Sequence, residues 1–341
     1  MVSLGWGVWA SVLAAVVVAL LVKRASSAVK QSAIQVVRSF GSGRYLQGKT
    51  ALVTGGNAGI GLETVKALAS VGCRVLLCSR SVEAGKAAVE SEIAKDGLGG
   101  YSVTDTSNVV VKQLDLENLD SIRRLCDDVA ATEQCIDILI LNAGIMSLPN
   151  LERTSPAGWE RQMGVNHFGH ALLTKRLRPL LNKSKDMARV ISLASTAHRF
   201  SSKAFIDDPT YTTKGHQYTP WVAYGDSKLA NLVYAKALAK DFSKNSENAT
   251  AVSVHPGVIR TALWNQSPIN KFFSLFVGDR DVPQGAASTV WAAVAPRVLQ
   301  PDMRGAYIAD CGPERPKDFA EDDLLVQKLW DVTESELQRV G

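Results

Sequence analysis

The chain predicts a single α/β domain built on a doubly wound parallel sheet, and three features of its 341 residues carry that prediction. Short apolar runs alternate with helix-length amphipathic segments, which requires crossover connections between parallel strands. One of those runs, "IDILIL" at 136–141, is apolar without alternation, as expected of a strand covered on both faces. A glycine-rich turn, "TGGNAGIG" at 54–61, separates the first run from the first helix.

Taken in order, Ala51-Leu52-Val53 is a short apolar strand, and Ile60 to Ser70 reads as the helix after the glycine turn. Arg74 to Cys78 is the second strand, and Val82 to Lys95 its helix. A polar loop at 97–108 precedes the third strand, Val109 to Leu114, and the helix Leu119 to Ala131. The continuous apolar strand at 136–141 leads to a helix over about 156–182, a strand over 188–194 and a helix over 221–241. In that last helix Leu229, Leu232, Val233 and Ala237 follow the i, i+3, i+4 rule of a buried face. Val252 to His255, a helix over about 283–295 and Ala306 to Ala309 complete the pattern, with no internal repeat.

The charge is uneven. Residues 23–49 hold six of the 38 basic residues and no acid, leaving 32 basic against 33 acidic elsewhere, so a nucleic-acid-binding surface is not expected. Residues 1–22 carry no charged side chain, and Leu4 to Val22, as a helix, would span about 28 Å. Trp6 and Trp9 suit one membrane interface, and Lys23-Arg24 close the other end. The expected organisation is a single-pass anchor at 1–22, a basic linker at 23–48 and the domain at 49–341, facing the cytosol by the positive-inside rule. The endoplasmic reticulum is the expected membrane, another organelle the alternative. Five cysteines without a close pair suggest neither a disulfide framework nor a metal site.

The glycine turn has a ligand reading. A strand-to-helix turn presents free N–H groups and the positive end of the helix dipole to a pyrophosphate. Gly55 permits the tight turn, Gly59 the approach of phosphates and Gly61 close helix packing. The second strand ends in Ser79-Arg80, where an acid would instead repel a 2′-phosphate; the arginine therefore points to NADP(H). Asp115 suits either an adenine amino group, with Leu116 against the ring, or the cap of the next helix. Asn142, Ala143 and Gly144 end the fourth strand with small residues over which a cofactor can lie. Tyr224 and Lys228 stand one helical turn apart and share a face.

Six motifs in order (54–61, Asn-Ala-Gly at 142–144, Asn166 in "GVNHFGH", Ser195 in "RVISLAS", Tyr224-x-x-x-Lys228 and "HPG" at 255–257) resemble the short-chain dehydrogenases/reductases, which have a Rossmann fold. The resemblance covers nearly all of 49–311. It implies catalytic Ser195, Tyr224, Lys228 and Asn166, the last anchoring a water that relays protons to the lysine. It also implies cofactor contacts from Asn57, Ile60, Pro256, Gly257, Val258 and Thr261, and from Tyr224 and Lys228 themselves. The chemistry is coherent: a nearby ammonium would lower the pKa of Tyr224 and make it a usable acid or base, and Ser195 would stabilise charge on the substrate oxygen. Leu141 replaces the first asparagine of the family's Asn-Asn-Ala-Gly, a position that ties strands rather than doing chemistry.

Finer matches such as "VNHFGHALLT" and "WVAYGDSKLAN" resemble the microsomal retinol dehydrogenase branch, which includes WW-domain oxidoreductases and plant and algal relatives. The implied reaction interconverts a lipophilic alcohol and its aldehyde or ketone with NADP(H). A steroid or general carbonyl reductase, or a redox-sensing partner of a membrane complex, is the alternative. Segments near 200–220 and 262–280 would shape substrate entry. Phe272, Phe273, Leu275 and Phe276 suit an apolar lid, a membrane-touching surface or plain core packing. The family also implies a possible homodimer, through the helix after "GVNHFGH" and the helix carrying Tyr224.

Overall fold

Every residue of the first strand, β1 (Thr50–Thr54), is buried, and its side chains alternate between two cores. Leu52 enters one core, and Ala51 and Val53 the other. The same division holds in β2 (Arg74–Ser79), where Leu76 and Cys78 oppose Val75 and Leu77. In β4 (Ile138–Leu141), Leu139 and Leu141 oppose Ile138 and Ile140. A sheet apolar on both faces needs helices on both, which is the physical content of double winding.

The structure is a computed structural model that describes residues 31–93, 106–201, 203–212, 217–257, 259 and 280–341. The sheet adds β3 (Val109–Gln113), β5 (Ala188–Leu193), β6 (Ala249–Val254), β7 (Tyr307–Ala309) and β8 (Gly312–Pro313). Its order is β3-β2-β1-β4-β5-β6-β7-β8, parallel except for the antiparallel β7–β8 pair. The order reverses between β1 and β4, and a crevice opens there at the C-terminal strand ends.

The helices are α1 (Ala33–Phe40), α2 (Gly59–Ser70), α3 (Val82–Ala88), α4 (Leu119–Thr132), α5 (Gly169–Leu181), α6 (Pro220–Lys244), α7 (Ala287–Val294) and α8 (Asp323–Arg339). Helix α4 shows how the pattern works: Leu119, Ile122, Leu125, Cys126 and Val129 are buried, while Asp120, Arg124, Asp127 and Asp128 face outward. α5 continues a π segment, Gly164–Phe168. The expected helix over 156–182 starts only at Arg161, because Gly158 takes φ +73° and the chain before it forms a turn closed by an Arg153–Glu160 bridge.

Two helices were not expected. α1 lies within the stretch read as a basic linker. Its Ala33, Ile34, Val36 and Val37 are buried against the core that holds α2 and α7, so the domain begins before residue 49. α8 packs on α6 and α5. It buries Leu325, Val326, Leu329 and Leu337, stacks Trp330 on Tyr234 at 5.9 Å, and brings Thr333 to 2.9 Å from His167. The expected membrane anchor at 1–22 lies outside the described residues, as does most of the 262–280 segment. Among the described residues no helix is long and apolar enough to cross a membrane.

Because Leu329 is fully buried between α8 and the rest of the core, Leu329→Ala should cost about 2–5 kcal/mol of stability, read from urea unfolding. A cost near zero would mean that α8 is not part of the folded unit.

Candidate active site

The crevice is framed by the ends of β1 and β4, which are tied together. The backbone N–H groups of Asn142 and Ala143 both donate to Thr54 Oγ1, each at 2.9 Å, and Asn142 Nδ2 donates to the Thr54 carbonyl at 2.7 Å. At Gly61 a Cβ would fall 2.2 Å from the Gly55 carbonyl oxygen and 2.6 Å from Asn142 Nδ2, so no other residue fits between α2 and the strands. Gly59, at φ +55°, has open space on its Cβ side. Helix α2 starts after Ala58 with no side-chain cap, and its first N–H groups are available to an anion. Asn57 and Ile60 are half-buried on the same turn.

At the end of β2, Ser79 is buried and Arg80 exposed. Arg80 has no carboxylate partner among the described residues, and the Arg80 carbonyl accepts a long bond from Gln113 Nε2. Asp115 does not cap α4. Its Oδ1 accepts from the Glu117 N–H at 3.0 Å, and the cap is Asn118, whose Oδ1 accepts from Ser121 N–H at 3.0 Å. Leu116 is buried in the core. Pro256 and Gly257 follow β6 and are half-buried, while Val258 and Thr261 lie outside the described residues.

The four residues expected to react come together at the C-terminal ends of β4 and β5. Tyr224 and Lys228 lie on α6, 7% and 5% exposed, with Lys228 Nζ 5.6 Å from the centre of the Tyr224 ring. Lys228 Nζ donates to the Leu193 carbonyl at the end of β5, at 3.0 Å, and Asn231, one turn on, donates to the same oxygen at 2.9 Å. Ser195, two residues past β5, accepts from Ala197 N–H at 3.2 Å and lies near enough to the Tyr224 phenol to act on it. Asn166 is fully buried in the π segment; its Nδ2 donates to the Ile145 carbonyl and Ser227 Oγ, both at 2.9 Å, and its Oδ1 accepts from Ile145 N–H at 2.8 Å. A Cβ at Gly144 would lie 3.2 Å from Asn166 Oδ1 and 3.5 Å from Lys228 Nζ, so the Asn142–Gly144 segment runs directly over the pair.

One electrostatic outcome differs from expectation. Burial pushes the Tyr224 phenol up to about 12, and the Ser195 hydroxyl offsets only part of the rise. Burial also pulls Lys228 down to about 8. Desolvation is the dominant cause at both groups, and it favours the neutral phenol over the phenolate. The Asn166 side chain is committed to protein partners, and it clamps the backbone after β4 to α6.

Sequence reasoning missed several residues that shape this site. Met146, Ala197 and Trp221 pack around Tyr224, with Trp221 edge-on to its ring at 6.3 Å, and give the crevice an apolar wall. Gln162, fully buried, accepts from Ser147 N–H at 2.6 Å and donates to the Tyr218 hydroxyl and the Pro220 carbonyl, fixing the start of α6. His170 lies one turn after Asn166; its i, i+4 spacing was the available signal.

Comparison with known proteins agrees with this architecture. Residues 49–271, more than half of the chain, match the family model described as short chain dehydrogenase. The chain is 35% identical over 300 residues to the short-chain dehydrogenase TIC 32 A, chloroplastic, of Brassica napus, covering 83% of this chain and 87% of that protein. It is 36% identical over 292 residues to human retinol dehydrogenase 12, covering 84% and 86%. A Mycobacterium paratuberculosis protein of solved structure, titled as putative uncharacterized, superposes with a TM-score of 0.66 at 27% identity over 86% of this chain and 94% of that one. RhlG of Pseudomonas aeruginosa, solved as an NADP active-site complex, superposes with a TM-score of 0.57 at 25% identity over 77% and 94%. The chain belongs to the short-chain dehydrogenase/reductase family of oxidoreductases, in its retinol dehydrogenase-like branch.

Proposed function

We propose that the protein is an NADP(H)-dependent oxidoreductase that interconverts a lipophilic alcohol and its aldehyde or ketone, with retinal-like carbonyls the favoured class. The observation that carries this reading is the buried Tyr224–Lys228 pair on one turn of α6, with Ser195 against the phenol. The nicotinamide would supply the hydride. The residues present fit such a dinucleotide: the open side of Gly59 and the uncapped α2 N-terminus suit its pyrophosphate, and the exposed Arg80 a 2′-phosphate.

In the reductive direction, the neutral Tyr224 hydroxyl is the proton donor to the substrate oxygen, and the Ser195 hydroxyl shares the developing charge. Lys228, charged below about pH 8, stabilises the phenolate left after transfer. In the oxidative direction Tyr224 must first lose its proton, which burial opposes. The raised phenol pKa therefore suits Tyr224 to the acid role in carbonyl reduction. The apolar wall of Met146, Ala197 and Trp221 supports a lipophilic substrate, and an anchor at 1–22 in the endoplasmic reticulum or another organelle membrane would place the site where such substrates partition. A steroid or general carbonyl reductase, or a redox-sensing partner of a membrane complex, would use the same cofactor site; a substrate screen separates these readings. A homodimer through α5 and α6 would have to accommodate α8, which covers part of both helices.

Tyr224→Phe should lower kcat for reduction of a medium-chain aldehyde at least about 100-fold while NADPH affinity stays within a few-fold. Retention of full activity would refute the assignment. With wild-type protein, reduction should be flat below about pH 8 and decline above it as Lys228 loses its charge, whereas alcohol oxidation should rise with pH. A reduction rate that climbs through pH 9 would contradict the assigned roles, since about pH 9 lies above the lysine transition. Arg80→Asp should weaken NADPH by roughly 10–100-fold and leave NADH nearly unchanged, measured by fluorescence titration. Equal weakening of both would mean that Arg80 does not contact the phosphate.

A further inference from the structure

His170 is 2% exposed and sits between the cofactor turn and the catalytic helix. Its Nδ1 lies 3.0 Å from the Asn166 carbonyl oxygen, and its Nε2 lies 2.8 Å from Thr54 Oγ1. A carbonyl only accepts, so Nδ1 carries the ring proton and Nε2 is an acceptor. The Thr54 hydroxyl must then be the donor. Its single hydrogen goes to His170 at 2.8 Å rather than to the Ile140 carbonyl at 3.4 Å, and its oxygen receives the N–H groups of Asn142 and Ala143. Every direction in the chain is fixed and consistent.

On the other side, the Asn166 side chain is already spent on Ile145 and Ser227, and Ser227 Oγ donates to the Tyr224 carbonyl at 2.7 Å. His170 therefore holds the backbone carbonyl of Asn166, which lies outside that clamp. The result is a continuous buried path from β1 and β4, through Thr54, His170 and Asn166, to the first turns of α6. Burial pulls the imidazole down to about 4, and the nearby Lys228 charge acts in the same direction, so the ring is neutral at physiological pH.

We propose that His170 is a positioning residue for hydride transfer: as a neutral Nδ1–H imidazole it sets the register between the dinucleotide turn and the helix that carries Tyr224 and Lys228. The proposal rests on the oxidoreductase reading above. It gives each ring nitrogen a separate task. Nε2 orders the β1–β4 turn, and Nδ1–H orders Asn166 and, through it, α6.

Three substitutions in the full chain separate the two tasks. His170→Phe keeps an aromatic ring and loses both bonds. His170→Asn retains an N–H near the Nδ1 position, and His170→Gln an acceptor near the Nε2 position. In His170→Phe, kcat should fall about 10–100-fold and NADPH binding weaken several-fold, with the folded circular dichroism spectrum retained. His170→Asn should recover most of kcat, and His170→Gln most of the NADPH affinity but not kcat. Imidazole ¹⁵N NMR of the wild type should show a protonated Nδ1, a bare Nε2 and no titration of that ring between about pH 5 and pH 8.

The proposal is overturned by an Nε2–H tautomer, by a folded His170→Phe with wild-type kcat and NADPH affinity, or by equal losses in all three variants. Wild-type protein that binds NADPH but turns over no carbonyl refutes the oxidoreductase reading alone. His170 is then judged on the tautomer and on the NADPH affinities of the Phe and Gln variants.

Discussion

The site depends on keeping the Lys228 ammonium inside the protein. A buried cation is expensive, and the fall of this group to about 8 records that cost. It is offset by the Leu193 carbonyl, which can receive Lys228 and Asn231 only because β5 ends beside α6. The same packing places Ser195, two residues further along, against Tyr224. The parallel sheet thus does more than support the crevice: the carbonyl at the end of one strand fixes the charge around which Tyr224, Ser195 and Asn166 are arranged.

Holding that charge requires a helix that does not move, and α6 is buried along most of its 25 residues. One side faces β5 and β6. The other is covered by α8, with Trp330 stacked on Tyr234 and Thr333 bonded to His167. A helix buried all round lacks a clean amphipathic stripe, which is why Tyr224 and Lys228 look like ordinary members of a core helix when read alone. What makes them a site is the end of β5, more than thirty residues earlier in the chain.

This separation sets what was legible in the sequence. The seven parallel strands were legible because each is short, apolar and bounded by turns, whereas the two-residue β8 has no such signal; the glycine turn was legible because close packing at Gly61 leaves a local signature. The meeting of Ser195, Tyr224, Lys228 and Asn166 was expected from ordered motifs rather than from periodicity. α1 was missed because its apolar residues sit in a stretch whose charge suggested a linker; burial of Ile34, Val36 and Val37 outweighs that charge. α8 was missed because its partners are themselves distant in sequence. The pKa direction of Tyr224 was misjudged because desolvation depends on how completely a group is enclosed, which spacing does not reveal. Asp115 was left between an adenine contact and the cap of the next helix because a carboxylate at the end of a strand suits either, and Asn118, three residues on, takes the cap.

The same turn of α6 also reaches the 200–220 segment. Asp226, between Tyr224 and Lys228 in sequence and fully buried, accepts hydrogen bonds from the hydroxyls of Ser201 and Tyr211, within the segment expected to select the substrate. Arg153 donates to the Thr210 and Tyr211 carbonyls, and Tyr218 to that of Leu148, so the segment is tied to the body of the domain at several points. Helical geometry sends Asp226 away from the face shared by Tyr224 and Lys228. The tie to the 200–220 segment and the face shared by Tyr224 and Lys228 therefore occupy opposite sides of one turn of α6.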